Sequence, residues 1–149
     1  MPANAEQPVQ SYTFTREELI EAPIEGVFQA VLDEAGLESQ MGDGSPMPFK
    51  LEAFPGGRWF RDLGNNSGHL WGHVQVIKPP TLLELSGPMF MSYPAANHVQ
   101  YRLAAEGKST RLKFIHKAFG LIPKEHMEGM EMGWGFKTKR ITELALKRK

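Results

Sequence analysis

Two hydrophobic periods divide this chain, and few folds accommodate both in that order. Through the middle the period is two: Phe49, Leu51 and Ala53 alternate with Lys50 and Glu52, Val99, Tyr101 and Leu103 alternate with His98, Gln100 and Arg102, and Leu112, Phe114 and His116 share one face. That is the pattern of half-buried strands. Beyond Pro123 the period becomes helical, with Met127, Met130, Trp134, Thr138, Ile141 and Ala145 in one stripe and Lys124, Glu128, Glu131, Lys139 and Glu143 mostly off it. About 24 residues at ~1.5 Å each make a rod of ~36 Å, the width of a small domain.

The remaining segments fill in the order. Tyr12 and Phe14 alternate with Thr13 and Thr15, which predicts a first strand over residues 11–20. Pro23 suits a first helical position, and Ile24, Val27, Phe28, Val31 and Leu32 mark a short helix ending near Asp33. Residues 35–48 hold Gly36, Gly42, Gly44, Pro46 and Pro48, so at most a short helix and a loop are expected there. Pro55-Gly56-Gly57 turns the chain into residues 58–63. Gly64-Asn65-Asn66-Ser67-Gly68 turns it again into a long strand at 69–78, which Pro79-Pro80 interrupts before 81–86. Glu106-Gly107-Lys108 joins the last two strands. The order is strand, helix, six strands, helix. Six to seven strands at hairpin spacing predict an antiparallel α+β architecture whose long C-terminal helix covers the concave face of a curved sheet.

Composition narrows the possible functions. Lys plus Arg balance Asp plus Glu at 17 each, so no net field gathers a polyanion, and neither nucleic acid nor an acidic membrane surface is an expected partner. The absence of cysteine excludes disulfides, a thiol nucleophile and thiolate metal sites. No apolar run reaches the ~20 residues of a membrane span. The start, Met1-Pro2-Ala3-Asn4, lacks signal-peptide character, so a cytoplasmic location is expected. Residues 1–10 read as a flexible N-terminus and 11–149 as a single domain.

Five short motifs carry a resemblance. Ala22-Pro23-Ile24-Glu25-Gly26-Val27-Phe28, Phe54-Pro55-Gly56-Gly57-Arg58-Trp59, Gly72-x-Val74 running into Pro79-Pro80, Ser109-Thr110-Arg111-Leu112 with His116, and Gly133-Trp134 follow one another as in the domain named after the activator of the heat-shock protein 90 ATPase. Each is a turn or packing signal, and their order and gaps make the set specific over roughly residues 11–147. The resemblance implies the helix-grip fold of the START-like (SRPBCC) superfamily, which includes lipid-transfer proteins, birch-pollen-allergen-like proteins and polyketide cyclases. The eukaryotic activator has a further N-terminal domain that engages the chaperone. Here the fold is expected to begin near Ser11, so chaperone activation is not expected to carry over.

A sheet wrapped round a helix tends to leave a hollow between them, the default place for a ligand. Strand phase places Tyr101, Phe114 and His116 on its walls, and Met127, Met130 and Trp134 reach down from the helix. Gly129, Gly133 and Gly135 either leave space or let the helix approach the sheet closely. Trp59 and Arg61 share a face. If Trp59 points inward, Arg61 offers a fork for a ligand carboxylate, and if Phe60 does, Arg61 is a solvated charge. Trp71 falls in phase with His69, His73 and Gln75, on the face opposite Leu70, Val74 and Val76. It completes the candidate cavity set as an outward-phased member.

His116 is the one catalytic candidate; inside the fold imidazole can bind a ligand, move a proton or complete a hydrogen bond. No metal is expected. His69 and His73 lie four apart on a strand, ~13 Å, too far to share zinc, and His126 with Glu125, Glu128 and Glu131 lacks metal-ligand spacing. No Ser-His-Asp arrangement, phosphate loop or dinucleotide fingerprint appears, and no cofactor is expected. The first reading is therefore a binding protein for a small apolar or amphipathic molecule rather than an enzyme. The alternatives are a cyclase-like enzyme using His116, and a stress-response or co-chaperone-like accessory. The apolar segment 87–94 suits a homodimer contact, a lid or a piece of core.

Overall fold

The computed structural model describes residues 8–89 and 92–148. The expectation of a loose start thus concerns mainly residues 1–7, which lie outside the described residues, and the first strand already begins at Gln10. The elements run β1 (Gln10–Ile20), α1 (Ile24–Ala35), β2 (Lys50–Leu51), β3 (Arg58–Gly64), β4 (Ser67–Lys78), β5 (Leu82–Gly87), β6 (Ala95–Glu106), β7 (Ser109–Gly120) and α2 (Lys124–Lys147). All seven strands join one antiparallel sheet in the order β1-β7-β6-β5-β4-β3-β2. The sheet is open, with β1 and β2 at its edges, and β1 returns to pair with β7, Phe14 opposite His116.

Alternation does what the sequence predicts. Thr110, Leu112, Phe114, His116 and Ala118 on β7, and Asn97, Val99, Tyr101 and Leu103 on β6, are buried on one face. This concave face receives α2, which buries Trp134, Thr138, Ile141, Leu144 and Ala145. The first helix packs beside α2, and three ion pairs tie the two regions: Glu34 with Lys137, Glu38 with Arg140 and Asp33 with Arg148. The turn between β3 and β4 uses Asn65 and Asn66 at φ 53° and 59°, values that asparagine tolerates and that match the twist of a tight hairpin.

Two departures from regular pairing matter for the site. The β3–β4 register shifts after Trp59, which faces Gly72, while Phe60 faces Leu70. Trp71 is the extra residue of the bulge, and the phase of β4 slips there. The indole therefore turns into the core, 5% exposed, whereas uninterrupted alternation places it on the outer face. Gly72 permits the irregularity, since a Cβ there would sit 2.6 Å from the Ser86 carbonyl oxygen. Trp59 points inward as well, and its indole Nε1–H donates to the Ala35 carbonyl at 2.7 Å.

Candidate functional site

Aromatic rings fill the centre of the space between sheet and α2. Trp134 lies 4.4 Å from Phe114, centroid to centroid, and Phe114 lies 5.2 Å from Tyr101. Tyr101, Phe114 and His116 are wholly buried in this packing. A polar line crosses it. Trp134 Nε1–H donates to His116 Nδ1 at 2.9 Å, and His116 Nε2 meets Asn97 Oδ1 at 2.7 Å. Indole nitrogen is only a donor, so Nδ1 must accept and Nε2 must carry the proton. Asn97 passes the line on through Nδ2–H to the Pro88 carbonyl at 3.3 Å. Desolvation pushes the His116 pKa down to about 4, so the imidazole is neutral at physiological pH.

The hollow lies to one side of this packed centre. It has a volume of about 370 Å³, and its walls come from α2 (Met130, Gly133, Trp134, Phe136, Lys137), from β4 (Trp71) and from the loop between α1 and β2 (Gln40, Met41, Gly42, Met47). A bridge between Gln40 and Pro46 and the bond from Met47 N–H to the Ser39 carbonyl close that loop on itself, and Lys137 to Ser39 and Arg140 to Glu38 tie it to α2. Behind Trp71 stand Phe49, at 3.6 Å between ring centroids, and Trp59, at 5.6 Å. Glycine shapes the opening. A Cβ at Gly129 or Gly133 would meet no atom within 4 Å, so neither residue serves close helix–sheet approach, and Gly133 instead leaves room in the hollow. At Gly135 a Cβ would come within 3.3 Å of the Arg16 guanidinium.

Of the residues singled out from sequence, Trp71, Met130 and Trp134 line the hollow. Trp59, Tyr101 and Phe114 belong to the packed core, and His116 is buried against Trp134. Met127 is half-buried near the start of α2, and Arg61, half-exposed on β3, stands outside the walls of the hollow. Gln40, Met41, Met47, Phe136 and Lys137 are the lining side chains that strand phase does not reveal. Lys137 did leave a trace: it lies three residues after Trp134 and four before Ile141, a cation on an apolar stripe. Glu34 repeats the sign on α1, among Ala30, Val31 and Ala35.

The other candidates have local roles. His126 Nδ1 pairs with the Tyr93 hydroxyl at 3.1 Å, and His69 and His73 are exposed on β4. Among the described residues no group of three or more His, Cys, Asp or Glu is placed to hold a metal ion. In the 87–94 segment, Met89 is buried and its N–H bonds to the Trp71 carbonyl at 2.7 Å. Residues 90 and 91 lie outside the described residues. Among the described residues no helix is long and apolar enough to cross a membrane.

A curved antiparallel sheet gripping a long C-terminal helix, with a hollow beside that helix, defines a helix-grip α+β protein. The chain belongs to the family described as activator of Hsp90 ATPase homolog 1-like protein, whose model matches residues 21–145. Solved structures share the fold. A protein from Rhizobium leguminosarum superposes with TM-score 0.73 at 17% identity over 95% of this chain and 98% of its own. One from Rhizobium loti gives 0.68 at 23% identity over 92% and 99%. CalU16 from Micromonospora echinospora gives 0.63 at 18% identity over 93% and 87%. No curated protein matches the chain. The family is compatible with ligand-binding and accessory roles in general, and the fold alone decides between neither.

Proposed function

We propose that the chain binds a small apolar or amphipathic molecule in the hollow between α2, β4 and the α1–β2 loop. The observation that carries this reading is the wall itself. Three methionines, two tryptophans and a phenylalanine surround about 370 Å³, with the Gln40 amide and Lys137 as polar groups. Ligand sites run from ~300 to ~1,000 Å³ and combine apolar walls with a few polar groups in this way. Methionine adapts to irregular ligand shapes, and tryptophan offers flat contact area.

The geometry of His116 does not favour acid or base catalysis. Both ring nitrogens are engaged by Trp134 and Asn97, the residue has no exposed surface, and its depressed pKa leaves little proton affinity at neutral pH. Thermal denaturation of the purified protein against a panel of lipids and aromatic metabolites tests the binding reading. A ligand at a hundred times its dissociation constant adds ~2.7 kcal/mol of stability, which the melting temperature reports. A panel that shifts nothing, together with organic extracts of the protein that contain no small molecule, would overturn it.

A further inference from the structure

An ion pair at the wall of the hollow bears on what kind of ligand enters. Glu34 is buried on α1, where desolvation raises its pKa while the Lys137 ammonium and the bonds from Lys137 and Ser39 oppose the rise, and its carboxylate accepts from Lys137 Nζ at 3.1 Å and from Ser39 Oγ at 3.4 Å. Lys137 also donates to Ser39 Oγ at 3.2 Å, and its ammonium sits 5.2 Å from the centre of the Phe49 ring. The Lys137 side chain thus lines the hollow while Glu34 holds its charge. Nearby charge is similarly balanced, because Arg140 is engaged by Glu38 and Glu143. Tyr101, also close to Glu34, keeps its proton: burial and the Glu34 charge push its pKa well above the usual range.

We infer that the hollow selects an uncharged ligand bearing a hydrogen-bond acceptor, such as a carbonyl, over the matching carboxylate, and that Glu34 determines this specificity. The inference rests on the binding reading above. A ligand anion drawn to Lys137 would come close to a carboxylate that is itself removed from water, and like charges repel most strongly where solvent cannot screen them. A neutral carbonyl escapes that repulsion. It also finds a neutral donor in the Gln40 amide, which lines the hollow and makes no side-chain hydrogen bond among the described residues. Discrimination therefore comes from the buried anion behind the cation as well as from the apolar wall.

Calorimetric titration of the intact protein with acetylnaphthalene, naphthoate and ethylnaphthalene tests the inference. Acetylnaphthalene is expected to bind at least roughly tenfold more tightly than naphthoate. In Glu34→Gln, which retains hydrogen-bonding groups for Lys137 and Ser39, the gap closes or reverses. That result separates the Glu34 charge from the general cost of desolvating an anion. Gln40→Leu, a change on the loop, reduces the advantage of acetylnaphthalene over ethylnaphthalene and keeps the test open if the Glu34 variant does not fold. Naphthoate binding as well as acetylnaphthalene to the unaltered protein, or full discrimination surviving in Glu34→Gln, overturns the inference and leaves the binding reading standing. Silence from all three probes also overturns the inference, while the binding reading is decided by the lipid and metabolite panel.

Discussion

At His116 the two ring nitrogens face opposite ways along one hydrogen-bonded line, from Trp134 on the terminal helix to Asn97 on the sheet. Protonation would put a second hydrogen on Nδ1, against the Trp134 N–H, so the line requires the neutral ring. Burial of the ring lowers the pKa from the ordinary 6.5 to about 4 on folding. As pH drops, the unfolded chain takes up this proton first. The contribution is intact above pH 6.5 and is lost between there and about pH 4, on the order of 3 kcal/mol in all. Urea midpoints measured across that window are expected to fall more steeply in the unaltered protein than in His116→Gln, and parallel curves would contradict the assignment. Tyr12 presents the opposite case. Its ring packs edge-on against His116 at 5.4 Å, and its buried hydroxyl has no hydrogen-bond partner among the described residues. Burial, with the Glu131 charge, pushes its pKa up to about 12. Tyr12→Phe removes an unsatisfied group and is expected to raise stability by about 1 kcal/mol, and chemical denaturation showing an equal loss would refute this.

Among the elements, α2 carries both the packing and the hollow. Its glycines were ambiguous in the sequence, since helical periodicity gives the face a residue occupies and not what stands opposite. The space above Gly129 and Gly133 resolves this. Gly129→Ala is expected to stabilise the helix by ~1 kcal/mol and leave binding unchanged. Gly133→Leu keeps the fold but fills the hollow, so ligand affinity falls sharply. Melting curves and titrations on the two variants check the pair, and unchanged affinity in Gly133→Leu would remove the hollow from consideration. The phase of Trp71 was hidden for a different reason. The β3–β4 bulge is a backbone event marked in sequence only by Gly72, and alternation continued through it puts the indole on the wrong face. The loop over residues 36–48 was opaque too. Gly and Pro announce irregular chain but not its path, so Gln40, Met41 and Met47 were invisible as walls.

For the molecule as a whole, the two periods were sufficient. Alternating runs from Phe49 onward and a single amphipathic stripe at the end leave little choice but a curved sheet around a helix, and the seven strands, their antiparallel order and both helices follow that reading. The same logic located the hollow only coarsely. Strand phase correctly turns Tyr101, Phe114 and His116 inward, but whether inward side chains border a space or fill it depends on packing that no single strand encodes. Here Trp134 fills the centre and displaces the hollow toward Trp71 and the α1–β2 loop. The most direct measurement is an NMR titration of isotope-labelled protein with acetylnaphthalene, following backbone amide, methionine methyl and tryptophan indole signals. The account predicts that Met41, Met47, Met130, Trp71 and Trp134 shift together and saturate, while His98 and Phe119 on the outer face stay still. Shifts confined to the outer face, or none at any residue lining the hollow, would contradict it.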